Sequence, residues 1–596
     1  MHNIFNESDV MSETALKRNS VTINRKYSEY FLPTVLTAMA TNIAMIVDSI
    51  IAGNILGKNA LAAINLLSPV AQLYFSLTIL FGLGASSVIA VAKGKNDRTL
   101  VNRIFTTTFI AVVLLCIVLM AIQLPLAGGI CSLFTKDKVL NPLLYQYYIP
   151  YIIGTPLNLM LLCSTYFIRT DNRPRFASNI IIVANIINLI MDYVYMGVFD
   201  MGIAGSSIAT VTGYAVGFIM MITHFTSKKS TLHFDFSILK APKKFFEIFS
   251  NLITVGLSGA LGTLLITVKM LFLNWIIMST GGRDAMASYS ICSSSQIFMS
   301  MFITGASQTM IPIVGVCLGE KDFDGIRYAF RRAFTILAVV SVVTMLFILA
   351  APEPVIRLFG ITAENDISNA VPALRINALS FPALAFSFLF LYYYMATQRK
   401  TISTTIAVLN GIVILIPSAL ILSKLFGITG VWISLVAAQV GTLIVLSFII
   451  LVIKRKSKGK YDSFYLIESN DNNEIVSLSF KGSKENASGV SLYLTSFLTC
   501  HGIEKNIANR IAVAVEGISA DIAERTGEKK KADIDIRIMI DGGDTIISIR
   551  DNGEPYDIVS NDCVDKTLSE IEVVKAVSKS VEYSNVLGFN RLVIKI

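Results

Sequence analysis

The chain has 596 residues, of which 54% are hydrophobic and 15% charged, and its mean hydropathy is +0.64. Soluble globular proteins carry about 25% charged residues, so a wholly soluble protein is excluded and a membrane protein expected. The net charge of +9 needs no nucleic-acid partner, because most Lys and Arg flank apolar runs, as the positive-inside rule requires.

Residues 1–27 are polar and lack the apolar segment of a cleavable signal, so they read as a cytoplasmic tail. Apolar runs long enough to span a bilayer follow near 29–53, 62–92, 104–128, 145–168, 176–199, 203–226, 246–278, 285–317, 333–352, 368–396, 402–423 and 428–453. Twelve spans are expected. Loops on one side, with the stretch after the last span, hold 23 Lys and Arg against 6 on the other. Both termini are therefore expected in the cytoplasm, with the chain multi-pass in the cell membrane. The seven cysteines are scattered, mostly in apolar runs, and show no metal or disulfide spacing.

The runs fall into two similar halves. "GIAGSSIAT" at Gly202 is echoed by "GITGVWISL" at Gly427, 225 residues later; Gly94 and Gly319, and Asn185 and Asn410, share that offset. Six spans per half would give both halves the same orientation, one of the arrangements found in secondary transporters. The expected fold is an all-α polytopic membrane protein of two six-helix repeats. Its parts are a tail (1–27), an N-lobe (28–226), a linker (227–245), a C-lobe (246–453), a basic linker (454–470) and a small α/β sandwich (471–596).

Two carboxylates interrupt the N-lobe runs, Asp48 and Asp192. A charge at membrane depth costs at least ~2.5–3.5 kcal/mol, so such residues mark function by default. At the repeat offset stand Leu273 and Pro417, so no need common to both halves explains the acids. Asn188 lies four residues before Asp192, on the same helix face. Burial and mutual repulsion both disfavour the ionised pair; a proton or Na⁺ relieves both.

"VDSIIAGNILGKNALAAINLLSPV" (47–70), "YFIRTDNRPRFASNIIIVANIINLIMDYVYMGVFDMGIAGSSIAT" (166–210) and "GASQTMIPIVGVCLGEKD" (305–322) resemble, in order, segments of the MATE (multidrug and toxic compound extrusion) family. The resemblance covers roughly residues 20–455. It implies a cation-coupled exporter of drugs or organic metabolites working by alternating access, with a small-molecule substrate such as an organic cation. It places the coupling H⁺ or Na⁺ at Asp48, Asn188 and Asp192, with Tyr147 and Thr210 as neighbours, and implies no catalysis, no other metal and no organic cofactor. Lys269, within the seventh run, is a candidate substrate-cavity residue. It could instead pair with a neighbouring side chain. A lipid-linked-precursor flippase would need several mid-span basic residues, and Lys269 is the only one. A membrane-tethered sensor is the remaining alternative.

In the tail, "IVSLSF" reads as a strand, 484–500 and 505–525 as helices, and "ADIDIRIMI" with "DTIISIRD" as a hairpin around "DGGD". A helix near 565–580 and the strand "RLVIKI" follow. "IRDNGEPYDI" and "VEGISADIAER" resemble the histidine-kinase-like ATPases, most closely the anti-sigma-factor kinases. Asp551, Gly553, Glu516 and Asp521 would be remnants of the nucleotide site. Gly517 stands where that family has a second Glu, Asp521 where it has Asn, and "SEIEVVKAV" offers no glycine for a phosphate lid. ATP binding is not expected. A regulatory module contacting a cytoplasmic protein is.

Overall fold

The computed structural model describes residues 18–596 except 229, 359–363, 458–459, 463, 469–474, 527–530, 542–543, 558 and 560–567. Contacts divide the chain into two compact units: residues 27–452, and residues 1–26 together with 453–596.

The first unit is helical, as lipid requires, because a helix satisfies its own backbone groups. In order it contains α1 (Val21–Leu56), α2 (Lys58–Leu66), α3 (Ser68–Gly94), α4 (Arg98–Phe134), α5 (Leu140–Thr170), α6 (Pro174–Val198) and α7 (Gly202–Phe225). Next come α8 (Pro242–Gly282), α9 (Asp284–Gly319), α10 (Phe323–Ala350), α11 (Pro352–Leu358), α12 (Glu364–Leu379), α13 (Phe381–Ala396) and α14 (Lys400–Lys456). Among the described residues, ten helices are long and apolar enough to cross a membrane, or eleven if the pair Ala370–Leu379 and Phe381–Ala396, bent by 41°, counts as one. The sequence reading expected twelve. The difference lies in α14, whose 57 residues count once although Gly427 (φ 60°, ψ −139°) breaks the helix. The run expected from residue 62 also divides: α2 ends at Leu66, and α3 starts afresh with Pro69 in its first turn, a position where proline's missing N–H costs nothing.

Left-handed residues recur at the sequence offset. Gly57 and Gly282 (φ 82° and 66°), Asn96 and Lys321 (59° and 58°) and Gly202 and Gly427 (60° each) are all 225 residues apart. Asp97 caps α4 by accepting from Leu100 N–H at 2.8 Å, and Asp322, also 225 residues on, caps α10 through Gly325 N–H at 2.9 Å.

A buried ionic knot ties the loop-side ends of α3, α5 and α7. Asp171 receives Lys93 Nζ at 2.9 Å, lies 3.0 Å from His224 Nε2, and accepts from Ser230 Oγ at 3.1 Å and from the Thr231 hydroxyl. Burial opposes ionisation here, but the Lys93 charge and the hydrogen bonds from His224, Thr231 and Lys93 outweigh it and hold the carboxyl well below the ordinary aspartate value of 3.8. A carboxylate so depressed contributes stability above its unfolded pKa and loses it only as pH falls through the folded one. We therefore expect Asp171→Ala to lower stability by about 3–5 kcal/mol, since it leaves Lys93 buried without its acid, and the wild-type contribution to be constant from pH 5 to 8. Thermal unfolding in detergent across that range checks both.

The second unit holds a short ribbon, β1 (Tyr461–Asp462) with β2 (Ile467–Glu468), and a five-stranded antiparallel sheet. Its strands are β3 (Ile475–Lys481), β4 (Asp533–Asp541), β5 (Asp544–Asp551), β6 (Ser580–Val586) and β7 (Phe589–Lys595), ordered β3-β4-β5-β7-β6. Helices α15 (Lys484–Cys500), α16 (Lys505–Thr526) and α17 (Leu568–Val577) accompany it. Leu478, Ile536, Ile547 and Leu592 alternate onto one sheet face and join Leu494, Ile511 and Val574 in one core. Strand β6 was not separated from the final strand in the sequence reading, because "SVEYSNV" alternates weakly. The helix expected at 565–580 is shorter, and the glycines of "DGGD" lie outside the described residues.

Candidate functional site: a carboxyl pair in the first unit

The expected residues converge. Asp192 is 0% exposed and ends the α-helical part of α6, where the backbone widens into a π-helical turn over Tyr193–Val198. Such turns are rare and concentrate at functional positions. Asn188, one turn earlier, donates through Nδ2 to Asp192 Oδ2 and to Thr210 Oγ1, each at 3.3 Å. Thr210 reaches it because α7 packs hard on α6: a Cβ on Gly213 would lie 2.5 Å from the Ala184 carbonyl and 3.1 Å from Asn188 Cβ. Asp48, from α1, meets Asp192 carboxyl to carboxyl within hydrogen-bonding range. Oδ1 of each acid is buried with no further partner among the described residues. Tyr147 stands within electrostatic reach of both. Tyr214, near Asp48, was missed in the sequence; its position one turn beyond Thr210 was the available signal.

Two ionised carboxylates in contact repel strongly away from water. The orphaned oxygens can accept one shared proton or one monovalent cation, with the Asn188 and Thr210 side chains beside them. No group of three or more His, Cys, Asp or Glu suited to a metal occurs among the described residues.

The other half places a neutral network at Asn410, the repeat partner of Asn185. Gln439 Nε2 donates to Asn410 Oδ1 at 2.8 Å, Asn410 Nδ2 to Ser387 Oγ at 3.4 Å, and Ser387 Oγ to Gln439 Oε1 at 3.1 Å. These amides and the hydroxyl satisfy one another and need no ion.

The helix that carries Asp48 also walls a cavity of about 570 Å³ with Asn42, Met45, Ser49, Gly53 and Asn54, and α9 adds Ile297; neither Asp48 nor Asp192 is among the lining residues. At the opposite end of the helices the halves close on each other. A Cβ on Gly94 would lie 2.2 Å from the Val316 carbonyl, and one on Gly319 2.2 Å from the Val91 carbonyl, with each glycine's Cα 2.9 Å from the other's Cβ position. Gly256 likewise abuts the Leu80 carbonyl, at 2.0 Å. Small residues allow such approaches between helices. Lys269 is half-buried on α8, is not among the residues that wall this cavity, and pairs with no acid among the described residues.

In the second unit Asp551 Oδ1 accepts from Gly553 N–H at 2.8 Å and from Asn590 Nδ2 at 3.0 Å. Burial pushes its carboxyl above the ordinary aspartate value, against those bonds and the Arg525 charge. Arg525 pairs with Asp521 at 2.7 Å and lies 3.2 Å from the centre of the Tyr556 ring. Glu516 is half-buried on the same helix.

A bundle of membrane-length helices that holds a carboxyl pair and a cavity walled by helices of both halves is the architecture of a membrane transporter. The chain belongs to the MatE family, whose model matches it twice, over residues 33–194 and 260–421. It is 23% identical over 428 residues to the multidrug export protein MepA of Staphylococcus haemolyticus, covering 72% of this chain and 93% of that one. An outward-facing multidrug resistance MATE family transporter of the MOP superfamily superposes with TM-score 0.67 at 19% identity, over 74% of this chain and 99% of the other. A MOP superfamily transporter from Pyrococcus furiosus, described as having a binding pocket of reversed polarity and a different function, gives 0.67 at 18%, over 76% and 98%.

Proposed function

We propose that the chain is an antiporter that exports drugs or organic metabolites in exchange for H⁺ or Na⁺ taken up at Asp48 and Asp192. The observation that carries this reading is the contact of the buried Asp192 carboxyl with that of the half-buried Asp48, the Oδ1 atom of each being shielded and without a further partner among the described residues. Their ionic state must change with what is bound, and α1, the helix that carries Asp48, also walls the cavity. Ion entry and cargo exit thus act on one helix.

The twofold family match and the paired left-handed residues support two repeats. The break at Gly427 supports twelve crossings, and the basic loops support cytoplasmic termini. The cavity lining holds no Lys or Arg, which favours an exporter of apolar or cationic cargo over a flippase of anionic lipid precursors. Lys269 sits apart and is best read as tuning the C-lobe against cations. No enzymatic step is proposed.

The second unit reads as a regulatory module descended from a nucleotide-binding fold. Asp551 already spends its Oδ1 on Gly553 and Asn590, and Arg525 already lies on Tyr556 beside it. ATP binding is therefore not part of the proposal; a cytoplasmic protein partner is.

Ethidium efflux from proteoliposomes, under a pH gradient and a Na⁺ gradient imposed separately, tests the transport reading. We expect efflux under one of them. Efflux under neither, from correctly inserted protein, would overturn the antiport reading for this cargo and turn attention to Lys269 and anionic cargo.

A further inference from the structure

We propose that the second unit is a brake on helix α1: the outer face of its sheet grips the residues that begin this helix, and loosening the grip speeds transport. The inference rests on the antiport reading above.

The sheet has one face under its helices. Across the other runs a polar row in strict register, Ser479–Asp535–Arg550–Arg591, one residue from each of β3, β4, β5 and β7. Each is at most 7% exposed. The second face of a two-layer antiparallel sheet ordinarily meets water, and charged residues are rarely buried without partners. Something must cover this row, and residues 18–26 lie on it.

The contacts are specific. Arg18 Nη1 stands 2.5 Å from Asp535 Oδ2, with both side chains buried. Asp535 Oδ1 accepts from the Ser479 hydroxyl at 2.7 Å, and Ser479 Oγ in turn accepts the Asn19 N–H at 3.2 Å. One turn into the helix, Arg25 Nη1 lies 3.6 Å from Asp533 Oδ2, and Lys26 Nζ stands 5.0 Å from the Phe589 ring centre. The Arg25 pair is exposed and screened, so it contributes little. The buried Arg18–Asp535–Ser479 chain supplies the specificity. Three cations of the segment thus meet two acids and an aromatic face.

What is gripped is the start of the helix whose later turns wall the cavity. Helix α1 is continuous from Val21 to Leu56, and Asp48 lies 27 residues beyond Val21 on it, roughly 40 Å along an α-helix. Between them stands Pro33, which removes one helical hydrogen bond and lets the two ends reorient. Holding the start of α1 restricts what the cavity end can do; freeing it releases that end.

The test uses full-length protein. Asn19→Cys with Ser479→Cys, in a Cys500→Ser/Cys563→Ser background, closes the clamp by a disulfide on oxidation. Arg18→Asp opens it without touching the sheet. Two readouts are taken: ion-driven ethidium efflux, and labelling of Ser49→Cys in the cavity by an impermeant maleimide, measured on its own in the Cys500→Ser/Cys563→Ser background. We expect the disulfide to cut efflux about fivefold or more, reductant to restore it, and Arg18→Asp to raise labelling and efflux by a similar factor. Rescue of Arg18→Asp by Asp535→Arg would confirm the pair. Oxidised protein that exports at the reduced rate, or Arg18→Asp with unchanged Ser49→Cys labelling, would overturn the brake. If wild type exports under neither gradient, the antiport reading fails, and the labelling arm alone still decides the clamp.

Discussion

We expect Asp192→Asn to insert and accumulate as wild type does, but its ion-driven ethidium efflux to fall by at least about tenfold, the equivalent of losing 1.4 kcal/mol or more of coupling. The amide keeps the shape of the side chain and its contact with Asn188. It cannot release a proton, and it adds no charge to hold a cation beside Asp48. The substitution also removes a buried acid that repels its neighbour, so thermal stability should hold or rise. Asp171→Ala should do the reverse, costing stability because that acid is fully partnered. Measuring efflux and melting for the two variants side by side separates a functional carboxylate from a structural one. Normal coupled efflux by Asp192→Asn would remove the carboxyl pair from the mechanism.

Gly319→Leu should abolish transport by a different route. Its Cβ would lie 2.2 Å from the Val91 carbonyl and 2.9 Å from Gly94 Cα. Both are backbone atoms, which cannot swing aside, so α3 and α9 must part at the end where the halves now meet. The conformer with a closed end opposite its cavity is then lost, and alternating access loses one of its two states. We expect efflux at background and Ser49→Cys labelling slowed about tenfold or more, as a population shift of this size implies. Gly128→Leu is the control, because a Cβ there has nothing within 4 Å; it should transport normally. Wild-type efflux by Gly319→Leu would show that the glycine contact does not gate the cycle.

Much of this was legible in the sequence. The spans declare themselves by length and apolarity. Asp48 and Asp192 declare themselves by cost, and their absence at Leu273 and Pro417 separates function from fold. The four-residue spacing of Asn188 and Asp192 gave the shared face. Other features were hidden because they depend on distant pairings. Gly94 and Gly319 were visible as repeat partners, but not as residues that touch one another. The Lys93–Asp171–His224 knot joins three separated segments, and nothing in the sequence marks them as touching. Tyr214 looked like one more aromatic in an apolar run. Residues 18–26 read as the end of a polar cytoplasmic tail; only strand register reveals the buried row that receives them.

The central claim is that the Asp48–Asp192 pair takes up the coupling ion. Its most direct test needs no cargo: a difference titration of purified wild type against the Asp48→Asn/Asp192→Asn double variant, following bound protons with and without Na⁺. The account predicts that wild type takes up one more proton than the variant, or binds one Na⁺ that the variant does not. Superimposable curves for both ions, from folded protein, would contradict it.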